Sequence, residues 1–175
     1  YTGSTTVSGG GLTVSGGSAI SDSSAVTVDS GASLTLSNDE AIGSLSGAGS
    51  VVLGANTLAA GGSGASTTFS GVLSGTGNLT KTGSGTLTLS GTNTYTGTTT
   101  VSGGTLSVTD ATNIGTGALT IDIATLAITG TGASFANAIT AGTGGATISV
   151  SNTATLTGAV GGSGALTSSN CMSWG

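Results

Sequence analysis

One lysine, Lys81, and six carboxylates are almost all this chain has for acid–base chemistry; it has no histidine and no arginine. Catalysis needs titratable groups gathered in one place. Without histidine there is no Ser–His–Asp or Cys–His pair and no imidazole-based metal site. Lys81 beside a serine would allow Ser–Lys chemistry. It stands in the turn before Leu87, however, where a solvated or inward-facing structural lysine is expected. The carboxylates Asp22, Asp29, Asp39, Glu40, Asp110 and Asp122 are scattered singly, apart from Asp39–Glu40. That pair lies in Ser37–Asn38–Asp39–Glu40, whose composition reads as a solvated corner. Asp29 and Asp122 each follow an apolar alternation at matching places, which reads as turn capping. No catalytic, cofactor-binding or metal-ligating residue is expected.

Motifs that hold ions or phosphates come close and fail. Calcium-binding nonapeptides need Gly-Gly-x-Gly-x-Asp, and the runs from Gly61 and from Gly161 carry Ser66 and Leu166 where Asp must stand. Gly75 and Gly77 lack a third glycine and a following helix, so they make no phosphate cradle. Asn78–Leu79–Thr80 is a glycosylation sequon of the kind that arises by chance in a threonine-rich chain.

The elements are short strands. Asn78 to Val108 contains Leu87–Thr88–Leu89, Thr99–Thr100–Val101 and Leu106–Ser107–Val108, three period-2 alternations separated by Gly, Asn or Thr clusters. Such a unit carries a few large apolar side chains, at about 2 kcal/mol each, against an ordering cost of about 1–2 kcal/mol per residue. It cannot be stable alone and must stack on copies of itself. Copies exist. Tyr1 to Val14 (YTGSTTVSGGGLTV) matches Tyr95 to Val108 (YTGTTTVSGGTLSV), and Gly43–Val51, Gly71–Leu79 and Gly158–Leu166 share a shorter pattern. Apolar centres recur every seven or eight residues. Three per coil predicts a turn of roughly 20–24 residues and about eight coils. Ala59–Ser66 is expected to be a loop or small bulge off the stack.

Gly77, Leu79, Lys81, Gly83, Gly85, Leu87, Leu89, Gly91, Asn93, Tyr95, Gly97, Thr99, Val101, Gly104 and Leu106 together form a pattern that resembles the autotransporter-associated β-strand repeat, also called the passenger-associated transport repeat. The resemblance covers about 30 residues, with a partial second copy from Tyr1. It implies an all-β, right-handed, single-stranded parallel β-helix, a three-sided solenoid. It also implies a bacterial passenger of type V secretion, exported through an outer-membrane barrel and then secreted or held at the cell surface. The repeat is associated with transport and stem folding, not with a reaction.

Composition agrees with a thin, extended core. Glycine makes up 35 of 175 residues, proline is absent and 4% of residues are charged, so Ser and Thr hydroxyls must form the solvated surface. The net charge of −5 leaves no basic patch for nucleic acid or an anionic membrane. Cys171 has no partner for an internal disulfide. No apolar stretch is long enough for a transmembrane helix, and no signal-peptide pattern is visible. The chain starts in mid-repeat and reads as a fragment: a stem over 1–168 and a non-repeat tail over 169–175, where Trp174 could cover the last coil.

The expected role is therefore a non-catalytic structural stem, broadly an adhesin or surface-display passenger. Its expected partners are neighbouring coils of a parent protein, a second copy stacked end to end, or a host or cell-surface ligand. Two rivals remain. Thr92–Asn93–Thr94–Tyr95–Thr96 and Thr98–Thr99–Thr100 crowd hydroxyls as an ice-binding or other Thr-face solenoid would, though no regular Thr-x-Thr recurs at one spacing. A polysaccharide-active β-helix enzyme would need clustered carboxylates with Lys81. Val7, Leu12, Val14, Leu87, Leu89, Val101, Leu106 and Val108 are expected to point inward.

Overall fold

A computed structural model describes residues 3–174. Most of the strands run three to five residues, the length for which the alternation persists before a glycine or polar corner intervenes. They fall on three faces. The first face carries Thr5–Val7, Ala25–Val28, Ser44–Gly47, Thr67–Phe69, Thr86–Leu89, Thr105–Val108, Ala124–Ile128, the start of Ala146–Leu156, and Leu166–Trp174. The second begins with Gly11–Val14, Ser33–Leu36, Ser50–Gly54 and Val72–Gly75. The third runs from Glu40–Ile42 through Thr57–Ala60, Asn78–Lys81, Thr99–Val101, Leu119–Ile121 and Ile139–Ala141 to Val160–Gly162. Every pairing among the described residues is parallel. The chain is a three-sided parallel β-solenoid of about eight turns. Leu79, Thr99, Leu119 and Ile139 lie directly one above another, so a typical coil takes 20 residues, at the short end of the expected range.

Parallel stacking in register puts like on like. Leu87, Leu106, Leu126 and Ile148 form one interior column, and Leu89, Val108, Ile128 and Val150 form the next. All eight are buried. Each contributes about 1.5–3 kcal/mol by leaving water, and the ladder satisfies the backbone between them. Of the residues expected inside, Val7, Val14, Leu87, Leu89, Val101, Leu106 and Val108 are buried. Leu12 packs against the core but stays half-buried, since it belongs to the first described coil.

The coils approach so closely at their corners that a Cβ has no room. A methyl on Gly97 would meet the Gly77 carbonyl oxygen at 2.1 Å, and one on Gly117 would meet the Gly97 carbonyl oxygen at 2.1 Å. This glycine column lets the chain turn from the second face to the third without forcing neighbouring coils apart.

Two expectations need correction here. Ala59 and Ala60 belong to the strand Thr57–Ala60, and the glycines after them make a tight corner rather than a bulge. In it, Gly61 N donates to Ile42 O, Ser63 N to Gly43 O and Gly64 N to Gly61 O. Glu40 is not solvated; it is 3% exposed. Its carboxylate accepts from the backbone of Ala19 (3.2 Å) and Ile20 (2.9 Å), one coil below. The N–H groups of a corner without a strand need acceptors, and burying a carboxylate supplies them. The expectations for Tyr1 and for the side chains of Cys171 and Trp174 lie outside the described residues.

Candidate functional site

The residues that carry the sequence pattern gather in the central coils, and the structure gives each a physical task. Lys81 ends the strand Asn78–Lys81 rather than lying in a turn, and its side chain is fully buried. Its Nζ donates to the carbonyl oxygens of Thr82 (2.5 Å), Gly83 (2.9 Å) and Gly103 (3.1 Å). Three donors meet three acceptors across two coils. Burial holds the amine below the ordinary lysine value. Among the described residues its partners are these carbonyls, and the arrangement is a corner clamp. The solvated alternative for Lys81 is thereby excluded.

Asn93 lies in a stretch without a regular strand, yet it is 6% exposed. Its Oδ1 accepts from Leu73 N at 2.7 Å, and its Nδ2 donates to Asn113 O. Its own N–H donates to Thr112 O at 2.8 Å. One amide thus stands in for a peptide unit and ties three coils together. Asn113 repeats the device: Nδ2 donates to Gly91 O at 3.1 Å, while Oδ1 accepts from Thr109 N and Asp110 N. Asp110 caps the short 3₁₀ turn Ala111–Asn113 by accepting from Thr112 N at 2.9 Å. In the following coil Asn137 Nδ2 donates to Gly115 O (2.8 Å) and Gly117 O (2.7 Å).

Tyr95 is buried completely in the interior, with Phe69 and Phe135 the other large rings there. Its hydroxyl lies 2.6 Å from Thr99 Oγ1, which explains why a threonine interrupts the apolar column between Leu79 and Leu119. Desolvation raises the phenol above its ordinary value, so it remains protonated. Sequence reasoning places Asn93 and Tyr95 only in the polar cluster between strands. The signal available is the pattern itself, which spends an asparagine and a tyrosine at fixed offsets in a chain with only two tyrosines.

Two further carboxylates are corner acceptors. Asp39 Oδ1 takes Thr57 N at 2.7 Å, and Asp122 Oδ1 takes Gly144 N at 2.7 Å. The capping role expected of Asp122 is thus seen; the Asp29 contribution is its backbone oxygen, which accepts from Ala32 N. Among the described residues, no three His, Cys, Asp or Glu side chains come close enough to hold a metal ion. A hollow of about 310 Å³ opens on the second face between Thr92, Ala111, Ile114 and Ser134, and two of the amides that line it, those of Asn93 and Asn137, bond within the coils. What this arrangement does is hold coils together.

No curated protein and no solved structure matches the chain. The family model of the passenger-associated-transport-repeat matches residues 79–108, the segment that contains Lys81, Asn93, Tyr95 and Gly97, and so the central coils of this β-solenoid are similar to a passenger-associated transport repeat.

Proposed function

We propose that the chain is a stem segment of a secreted or surface-displayed bacterial passenger, with adhesion or display as its broad role and no reaction of its own. The observation that carries this reading is the coincidence of the matched repeat with the clamps that join coils: Lys81, Asn93 and Tyr95 each bond across or within successive turns. A passenger that emerges as an extended chain must fold coil upon coil, and a unit clamped to its neighbours gives later coils a template. The right-handed winding implied by the resemblance belongs to this reading. So do its partners: neighbouring coils of a parent passenger, a second copy stacked end to end, or a surface ligand.

The test is to join the chain to an outer-membrane barrel domain and tag its far end. Labelling the tag on intact cells should show display, and removing residues 79–108 should lower it severalfold while the barrel still inserts. Equal display without the repeat would refute the reading.

A further inference from the structure

Several hydroxyls at the corners of the solenoid are spent on the coil beneath. Ser63 Oγ donates to Gly43 O, Thr76 Oγ1 to Gly54 O, Ser102 Oγ to Lys81 O and Thr129 Oγ1 to Val108 O. The outer side of the first face is different in its C-terminal part. Thr86, Thr105, Thr125, Thr147 and Thr167 lie in one column, each paired in register with the next. Two positions further along each strand, Thr88, Ser107, Ala127, Ser149 and Ser169 form a second column. Five successive coils thus present the pattern Thr-x-Thr/Ser/Ala on one surface. The hydroxyls of Thr86, Thr88, Thr105, Ser107, Thr125 and Thr147 take part in no side-chain hydrogen bond among those described, and none has one left unstated. All these positions are partly or fully exposed, and none is charged.

The dimensions follow from strand geometry. Neighbouring coils stand about 4.8 Å apart, and residues i and i+2 are separated by about 6.6 Å along the strand. The result is a two-dimensional lattice of hydroxyls and methyls whose backbone groups are already consumed by the ladder. A trough of about 520 Å³ takes in part of the threonine column, lined by Thr105, Thr125 and Thr147 together with Gly104, Gly144 and Gly145. Its rim is Ile123, 74% exposed and held at φ +52°, a conformation that β-branched residues avoid.

A neutral lattice with a small, fixed repeat and unspent hydroxyls suits a partner that is itself neutral and periodic. A charged ligand would find nothing to pair with, and an isolated small molecule would gain little from repetition. We propose that the C-terminal part of the first face binds the surface of ice, its hydroxyls and methyls ordering water into the crystal's own spacing. Repetition matters because each hydroxyl binds weakly, while five coils engaged together act as one multivalent contact. The third face is a poorer candidate. It has a single column, Thr80, Thr100, Thr120 and Thr140, and beside it the Thr98 hydroxyl already donates to Asn78 Oδ1.

The test measures thermal hysteresis and inhibition of ice recrystallisation with the purified chain, alongside partition of the protein into growing ice. The wild type should be active in all three. Thr125→Tyr places a bulky ring in the middle of the lattice and should lower activity about tenfold, as expected when a central contact is lost. Thr120→Tyr, one face away in the same coil, should leave it unchanged. Circular dichroism and urea unfolding show that both variants fold, and Thr147→Tyr serves if Thr125→Tyr does not. An inactive wild type would overturn the proposal. So would equal loss in the two faces, or adsorption to an insoluble neutral polysaccharide with no effect on ice.

Discussion

From Gly11 to Gly75 the second face is a four-stranded backbone ladder: Leu12 opposes Leu34, Leu34 opposes Val51, and Val51 opposes Leu73. From Asn93 to Asn137 the same face loses most of that regularity. Thr94 N to Leu73 O, Thr96 N to Gly75 O and Thr116 N to Tyr95 O continue the stacking there, and asparagine amides complete it. The ladder spreads its stabilisation over many equivalent bonds, so no single side chain matters much. The amide-built region concentrates the same task in Asn93, Asn113 and Asn137, each buried and each irreplaceable by a hydrocarbon of similar size. The matched repeat, 79–108, runs into the concentrated region and contributes Asn93, the first of its three amides. A side chain that replaces a peptide frees the backbone to bulge, turn or take up a short 3₁₀ element while the coils stay stacked.

The comparison breaks first in the interior both regions share. Leu106→Asp would place an unpaired charge between Leu87 and Leu126 and should cost more than about 4 kcal/mol. Urea unfolding followed by circular dichroism should show the central coils unfolded or a transition shifted strongly downward; an unchanged midpoint would contradict the interior column.

Asn93→Leu tests the difference between the regions. It leaves Leu73 N–H and Asn113 C=O buried without partners, at about 2–4 kcal/mol in total. Thr35→Ala, in the ladder-built half of the same face, should stay within about 0.5 kcal/mol of wild type. Comparable losses in the two variants would erase the distinction. Tyr95→Phe removes one hydroxyl and strands that of Thr99, which is 2% exposed, so about 1–2 kcal/mol should be lost. Thr99→Val in the Tyr95→Phe background should recover part of it.

The smallest effect is a pH dependence. The folded pKa of Lys81 lies below the ordinary lysine value of 10.5, so between the two the unfolded chain binds the proton more tightly than the native one. Stability from this group therefore rises with pH across that window, reaching its full value near 10.5. Wild type should gain on Lys81→Met in urea midpoint as pH climbs from about neutral through that window. A gap that narrows instead would show that the three carbonyls hold the ammonium more strongly than burial opposes it.

Alternation, glycine punctuation and a shortage of large apolar residues were enough to predict strands, coils of roughly 20–24 residues and a stacked, thin core. Those properties are local: period-2 patterning decides which side chains face inward, and too small a unit must stack. The same reasoning misplaced Glu40 and left Lys81 between two surroundings, because burial of a charge depends on which carbonyls or N–H groups another coil leaves unpaired. Asn93 and Tyr95 were hidden for a similar reason; their partners lie in other coils or in a strand whose position only folding fixes. The hydroxyl lattice is the clearest case. No regular Thr-x-Thr interval runs through the sequence, because the steps from Thr86 to Thr105, Thr125, Thr147 and Thr167 are uneven. Corners of different length absorb the unevenness, the parallel ladder restores the register, and threonines at irregular distances along the chain come to stand in a straight column.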